Sequence, residues 1–149
     1  MKSIFEPESY NELKVRVAKL TPETQPKWGK MNVAQMMYHC QKALEVPLEK
    51  SDLKRPNLAM RVLFRGFKTS MYSDKLWKAN LPTAPGFAIT DEREFETEAT
   101  RLNDLMDELH ARKDGPPLPK HPAFGNFSKE QWGKMHYKHL DHHLRQFGV

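Results

Sequence analysis

Apolar side chains recur at three- and four-residue intervals in five stretches of the chain, which places them on one face of an α-helix. No stretch shows the apolar–polar alternation, rich in β-branched residues, that is typical of a strand. Helices are therefore predicted over approximately residues 8–20, 33–45, 58–67, 91–112 and 129–147. We predict an all-α fold, most simply an antiparallel four-helix bundle with an additional short helix.

Residues that start helices precede four of these stretches. Asn32 and Asn57 are predicted to be the N-caps of the second and third helices. Asp91 with Glu94 and Ser128 with Gln131 are predicted to form capping boxes at the starts of the fourth and fifth helices. Proline-rich segments at 21–26 and 114–122 should end the preceding helices. Between residues 68 and 89 the periodicity is weak, and an irregular crossing is expected there.

The whole chain, 1–149, is predicted to be a single domain, because no repeat, low-complexity tract or long linker divides it. A single cysteine, Cys40, rules out an intramolecular disulfide and favours a reducing compartment. Neither a signal peptide nor an apolar run of about 20 residues is present. We therefore expect a soluble, cytoplasmic protein with no membrane partner.

The net charge of +5 is compatible with nucleic-acid binding but does not indicate it. Basic residues are spread along the chain and mixed with acidic ones, and no predicted helix carries a concentrated basic face. Nucleic acid is therefore the least favoured partner. The apolar helix faces would also permit a homodimer, although no particular interface is indicated.

Four of the seven histidines lie between residues 136 and 143. At helical spacing, His139 and His143 fall one turn apart at the centre of the apolar face. Burying two imidazoles costs free energy unless their ring nitrogens find partners. A divalent metal would satisfy both at once, with a polar hydrogen-bonded core as the alternative.

A metal centre of this kind needs a third protein ligand, and His39 is the natural candidate. It lies at the edge of the apolar face of the second predicted helix, from which it could reach a neighbouring helix. The remaining histidines are weaker candidates: His136, His142, His110, which could interact with its helix dipole, and His121, which could be exposed in its loop. Cys40 is better explained by packing. Gln146 could orient His143 or simply be a satisfied amide at the helix end.

Two segments of the chain are similar to the DinB/YfiT-like superfamily of small helical proteins. They are Trp28 followed by Met31-Asn-Val-Ala-Gln-Met-Met-Tyr-His39, and the C-terminal His139-Leu-Asp-His142-His143-Leu-Arg-Gln146. The pattern His-Pro-x-Phe-Gly … Trp … His-x-x-His-His-x-x-Gln-Phe most resembles an uncharacterised bacterial branch. The resemblance implies a four-helix bundle that carries a divalent metal on His39, His139 and His143. Many members have an arginine where this chain has Leu144.

Three neutral imidazoles would leave the metal its full charge and an open coordination position. We therefore expect a metal-dependent enzyme acting on a small molecule, either a hydrolase or, as the resemblance implies, a low-molecular-weight-thiol transferase. The alternative is a non-catalytic helical module with structural histidines or a structural metal. Zinc, nickel, iron and copper all suit such ligands, so the metal identity is left open. No residue is predicted to act as a general acid or base.

Overall fold

The computed structural model describes residues 2–52, 54–84 and 86–149. These residues form five α-helices and no β-strand, which confirms the prediction of an all-α chain. The helices are α1, Pro7–Val17; α2, Val33–Glu45; α3, Leu58–Tyr72; α4, Phe95–Ala111; and α5, Lys129–Gln146. A short 3-10 helix, Arg112–Asp114, extends α4, and within the described residues an isolated β-bridge joins His121 to Gly125.

The two helices that carry the candidate ligands begin where the sequence predicts. The Asn32 side chain accepts the Gln35 amide at 2.9 Å, and the Gln35 side chain returns a bond to the Asn32 amide. Ser128 and Gln131 form the same reciprocal pair at the start of α5. These local bonds fix the first turn of each helix and so set the phase of the residues that follow.

Three helix ends differ from the prediction. Helix α1 ends at Val17, because the Lys19 and Leu20 amides bond three residues back, in tighter turns, rather than continuing the α-helix. Helix α3 continues to Tyr72, about one turn further than predicted. The predicted capping box at Asp91 is wrong: Glu94 is itself the N-cap of α4, and its carboxylate accepts the amides of Glu96 and Thr97.

Helices α1, α2, α4 and α5 enclose the main core. Helix α2 packs along α4 and also contacts α5, and α1 contacts both α5 and α4. The largest fully buried side chains that the four helices contribute to this core are Leu13, Met36, Met37, Leu44, Leu102, Leu105, Met106, Leu109, Leu140 and Leu144. The facing stripes of α2 and α5 therefore lie inside the molecule, where the candidate ligands are.

Helix α3 lies outside this core and packs on α5. None of its residues is buried. Its inner side makes ring contacts with the segment before α5, Phe64 with Phe124 and Tyr72 with Phe127, at centroid distances of 5.8 and 5.9 Å. Its apolar periodicity therefore does not mark a buried face.

The C-terminal end of α3 is fastened to α5 by one lysine. Lys138 is 4 % exposed, and its Nζ donates to the carbonyl oxygens of Ser70 and Ser73 at 2.7 and 2.9 Å. Ser70 lies in the last turn of α3 and Ser73 is its C-cap residue, at the helix end where intrahelical donors are lacking. The ammonium also lies 5.4 Å from the ring centroid of Trp77, a cation–π distance.

Among the described residues, the structure contains no helix with both the length and the apolar character needed to cross a bilayer.

Candidate metal centre

The three histidines selected from the sequence meet between α2 and α5. His39 comes from the middle of α2, and His139 and His143 come from adjacent turns of α5. Each residue offers one ring nitrogen, and the three nitrogens lie within 4.8 Å of one another. The Nε2 atoms of His39 and His139 are 3.0 Å apart. This group could hold a metal ion.

The 3.0 Å separation is close to the spacing of two ligands on one ion. Two nitrogens at 2.0–2.1 Å from a tetrahedral zinc lie roughly 3.3 Å apart. Two imidazole lone pairs facing each other at this distance repel, so a proton or a cation must lie between them. The geometry therefore allows either a His–His hydrogen bond or a shared metal.

Burial keeps these imidazoles neutral. Desolvation lowers the pKa of His143 to about 3, with the neighbouring His39 adding to the effect. The pKa of His139 is lowered well below its usual value, first by burial and then by His143 and His39. Burial also lowers the pKa of His39. A metal binds the neutral form of histidine, so no proton has to be removed near neutral pH.

The tautomer of His39 is fixed by a loop carbonyl. Its Nδ1 lies 2.8 Å from the carbonyl oxygen of Phe87. A carbonyl can only accept, so Nδ1 carries the hydrogen and donates it. The Nε2 lone pair is consequently left pointing at His139, which is the orientation that a metal ligand needs.

Two hydrogen bonds in series fix the tautomer of His143 in the same way. The Gln146 side-chain amide donates to the Trp28 carbonyl at 2.7 Å, so its nitrogen must face Trp28. Its oxygen then faces His143 Nδ1 at 2.8 Å and accepts a hydrogen from it. The Nε2 atom of His143 is therefore free to bind a cation. The sequence left two roles open for Gln146, and this contact supports the orienting one.

The turn that presents Trp28 depends on a glycine. Gly29 has a φ of +84°, and a Cβ added to it would lie 2.5 Å from the Gln146 Nε2 atom. Both the positive φ and the close approach exclude a larger residue without movement. Gly29 therefore leaves room for the Gln146 amide that orients His143.

The third histidine lacks such a partner. His139 Nδ1 is buried and makes no hydrogen bond within the described residues. Its ring is held by packing, with Trp77 at a centroid distance of 6.1 Å and the other two imidazoles at 5.0 and 4.8 Å. The group therefore has two imidazoles oriented by hydrogen bonds and one that is held by its neighbours.

A cavity of about 300 Å³ opens beside His143. Its walls include Trp28, Leu81 and Ile89, and His142 lies at its edge towards α5. No carboxylate occurs among the described residues that line it. His142 itself contacts the indoles of Trp28 and Trp77 at 5.9 and 5.6 Å, so aromatic rings flank the approach to the histidines.

The remaining histidines lie elsewhere. His136 is buried one turn before His139 and stacks on Trp132, with neither ring nitrogen hydrogen-bonded within the described residues. His110 does not simply face its helix end: its Nδ1 donates to the Ile4 carbonyl at 2.7 Å. His121 is not exposed, and it packs 5.4 Å from Trp132 with its Nδ1 accepting two backbone amides.

Cys40 does not join the site. It is buried, its Sγ contacts Met36 Sδ at 3.7 Å, and burial raises the pKa of its thiol. A neutral, packed thiol agrees with the prediction that Cys40 belongs to the core.

Sequence reasoning missed the groups that support the ligands. The Phe87 carbonyl and Trp77 lie in the 68–89 segment, for which no element was predicted. A backbone carbonyl has no residue-type pattern, so only the fold brings it to His39. Trp28 could have been found, because it belongs to the motif that ends at His39.

Comparison with known proteins adds a family but no activity. Searches of curated proteins and of solved structures gave no match. Residues 5–148 match a family model described as a protein of unknown function, DUF1569. This match covers nearly the whole chain, and the protein therefore belongs to the DUF1569 family.

Proposed function

We propose that this protein is a metal-dependent enzyme whose mononuclear centre is formed by His39, His139 and His143. The observation that carries the proposal is the convergence of three neutral imidazoles from two helices, with the Nε2 atoms of His39 and His139 3.0 Å apart. Hydrogen bonds orient two of the three rings for ligation. A core packed for stability alone would seldom bring three buried imidazoles together with one ring nitrogen left without a hydrogen bond, as His139 Nδ1 is within the described residues.

The proposal extends to the fold. We assign residues 1–149 to one domain in which α1, α2, α4 and α5 form an antiparallel four-helix bundle of the DinB/YfiT type. Helix α3 is the additional helix. The packing of α2 and α1 against α4 and α5 supports this arrangement. Ligands on the second and last helices also follow the pattern of that superfamily.

Three histidines leave a fourth coordination position for a reactant. A divalent ion held by His39, His139 and His143 would supply Lewis-acid chemistry, either acidifying a water to a pKa of about 7 or polarising a substrate oxygen or thiol. The chain supplies aromatic rings beside the histidines, from Trp28 and Trp77, and a cavity of about 300 Å³ that could admit a small molecule. Hydrolysis and thiol transfer both suit this site, and zinc, nickel, iron and copper are all candidate metals.

Metal content tests ligation directly. Untagged protein, stripped and reloaded with zinc, should retain about one equivalent after desalting, as one three-histidine site predicts. His139→Ala should retain less than about 0.2 equivalents, whereas His110→Ala, which removes a histidine outside the site, should match the wild type. Wild-type retention below about 0.2 equivalents would overturn the proposal.

A cobalt-loaded sample separates an enzyme site from a structural one. An open position binds added azide, and the visible cobalt spectrum should change as it does so. A fourth protein ligand would block azide and leave the spectrum unchanged. That second result would favour the alternative, a non-catalytic module with a structural metal.

A further inference from the structure

The cavity beside His143 is the place where a substrate would meet the proposed metal, and its size limits what can bind there. Its volume is about 300 Å³, at the lower end for small-molecule pockets. Liquid water occupies about 30 Å³ per molecule, so the cavity has room for roughly ten non-hydrogen atoms. It therefore fits a compact molecule rather than a nucleotide or a length of polymer.

Much of the cavity wall is apolar. Trp28 and Met31 line it from the segment before α2, and Leu81, Ala88 and Ile89 line it from the segment that precedes α4. An indole and aliphatic side chains bind hydrocarbon and aromatic groups, because contact removes apolar surface from water. The body of a molecule that fits here is therefore apolar.

The charge of the cavity has one sign. Among the described residues that line it, Lys30 is the only side chain with a permanent charge, and no carboxylate occurs. A metal ion beside His143 would add further positive charge. Walls of one sign attract ligands of the opposite sign. An anionic group thus has a counter-ion in this cavity, whereas a cationic group has none.

The Lys30 ammonium is available to a ligand. The side chain is exposed and makes no hydrogen bond or ion pair with another described residue. Lys14, in contrast, is already paired with Asp107. A lysine ammonium carries three donors, so Lys30 can bind both oxygens of a carboxylate without breaking an existing contact.

One short turn links this lysine to the candidate metal ligand. The Trp28 carbonyl accepts the Gln146 amide, and the Gln146 oxygen accepts the hydrogen of His143 Nδ1. Lys30 follows two residues after Trp28, directly beyond Gly29 with its positive φ. The turn that orients His143 therefore also brings Lys30 to the cavity wall, so both ends of a bound molecule would be positioned by the same piece of backbone.

We propose that the substrate is a compact apolar carboxylic acid, and that Lys30 is the specificity-determining residue that binds its carboxylate. The apolar body, with room for about one aromatic ring, lies against Trp28 and Ile89. The opposite end of the molecule then lies towards His143, where the metal would contact the reacting group. This assignment rests on the proposed metal-dependent activity, whose substrate class it defines.

Calorimetric titration of the zinc-loaded full chain with 3-phenylpropanoate and 3-phenylpropanamide tests the assignment, because these probes are nearly equal in shape and differ in charge. The acid should bind about tenfold more tightly than the amide, as a charge-assisted hydrogen bond predicts. Lys30→Met should remove this preference. Lys19→Met is the matched control, because Lys19 is also exposed but does not line the cavity, and it should keep the preference.

Azide binding to the cobalt-loaded protein separates this proposal from the one on which it rests. Lys30→Met should keep the wild-type response to azide, because Lys30 is not a metal ligand. A wild-type protein without that response would overturn the metal-dependent activity, and the substrate assignment with it. A normal azide response would overturn the substrate assignment alone if acid and amide bound equally, if neither bound at about 10 mM, or if the acid preference survived in Lys30→Met.

Discussion

At the scale of single residues, the candidate centre is defined by which nitrogen of each imidazole carries a hydrogen. Acceptor-only carbonyls decide this for His39 directly and for His143 through Gln146. The pairing of His139 with His143 on one buried face could be predicted from helical phase, because the side chains that share a helix face follow from spacing alone. The oxygen atoms that fix the tautomers come from distant parts of the chain, and no local pattern reveals them.

Replacing Gln146 should weaken metal binding more than it weakens the fold. In Gln146→Ala the His143 Nδ1 loses its acceptor and the ring can rotate or change tautomer. Loss of such a supporting hydrogen bond typically lowers metal affinity about 10–100-fold. Competition with a chromophoric chelator measures the affinity, and Gln25→Ala, in an exposed turn, is the control. Equal affinities in the two variants would show that Gln146 does not orient His143.

Gly29→Ala should disturb the same two hydrogen bonds, because it changes the contact between Gln146 and the Trp28 carbonyl. Its Cβ would overlap Gln146 Nε2 and push the amide away from the Trp28 carbonyl. Gly125→Ala shares the cost of a positive φ, roughly 1 kcal/mol, but meets no atom within 4 Å. Chelator competition should therefore show weaker metal binding in Gly29→Ala and unchanged binding in Gly125→Ala. The same loss in both would assign the effect to backbone strain alone.

At the scale of elements, helices α2 and α5 could be placed from the sequence because both their start signals and their apolar stripes are local. The end of α1 was missed because it depends on how the chain turns after Val17. The start of α4 was missed because Glu94, which was expected to be the capping-box partner of Asp91, is itself the N-cap residue. The exposure of α3 could not be foreseen, since periodicity reports an apolar face but not whether anything covers it.

Lys138 should matter for α3 far more than an ordinary surface lysine. Lys138→Met removes the donors to the Ser70 and Ser73 carbonyls, and we expect a loss of about 1–3 kcal/mol in the free energy of unfolding. Hydrogen exchange should also become faster across Leu58–Tyr72.

Lys134→Met is the control for this prediction. Lys134 pairs with Glu130 one turn away on the same helix, and the Glu130 side chain is 72 % exposed. Such a solvent-screened pair contributes little to stability. If urea denaturation gave the two variants the same stability, the capping role of Lys138 would be wrong.

At the scale of the whole molecule, the buried histidines make the fold sensitive to acid. Burial lowers the pKa of His136 to about 3 and that of His121 to about 4. In the unfolded chain both would titrate near 6.5. Between these values the unfolded state binds more protons than the folded one, so stability must fall as the pH falls.

Urea denaturation of metal-free protein at several pH values tests this coupling. The free energy of unfolding should be nearly constant above pH 7 and should decrease from about pH 6.5 towards pH 4, by up to 1.4 kcal/mol per pH unit for each buried histidine. His136→Phe keeps a ring against Trp132 and should flatten the slope. A profile independent of pH across this range would contradict the assignment of these rings as neutral.

The whole account depends on three imidazoles sharing one cation. X-ray absorption at the zinc edge of reloaded, untagged protein measures this most directly, because imidazole ligands add a distinct outer-shell pattern. We predict three imidazole nitrogens at about 2.0–2.1 Å and one further light atom. A first shell with fewer than two imidazoles would contradict the centre at His39, His139 and His143.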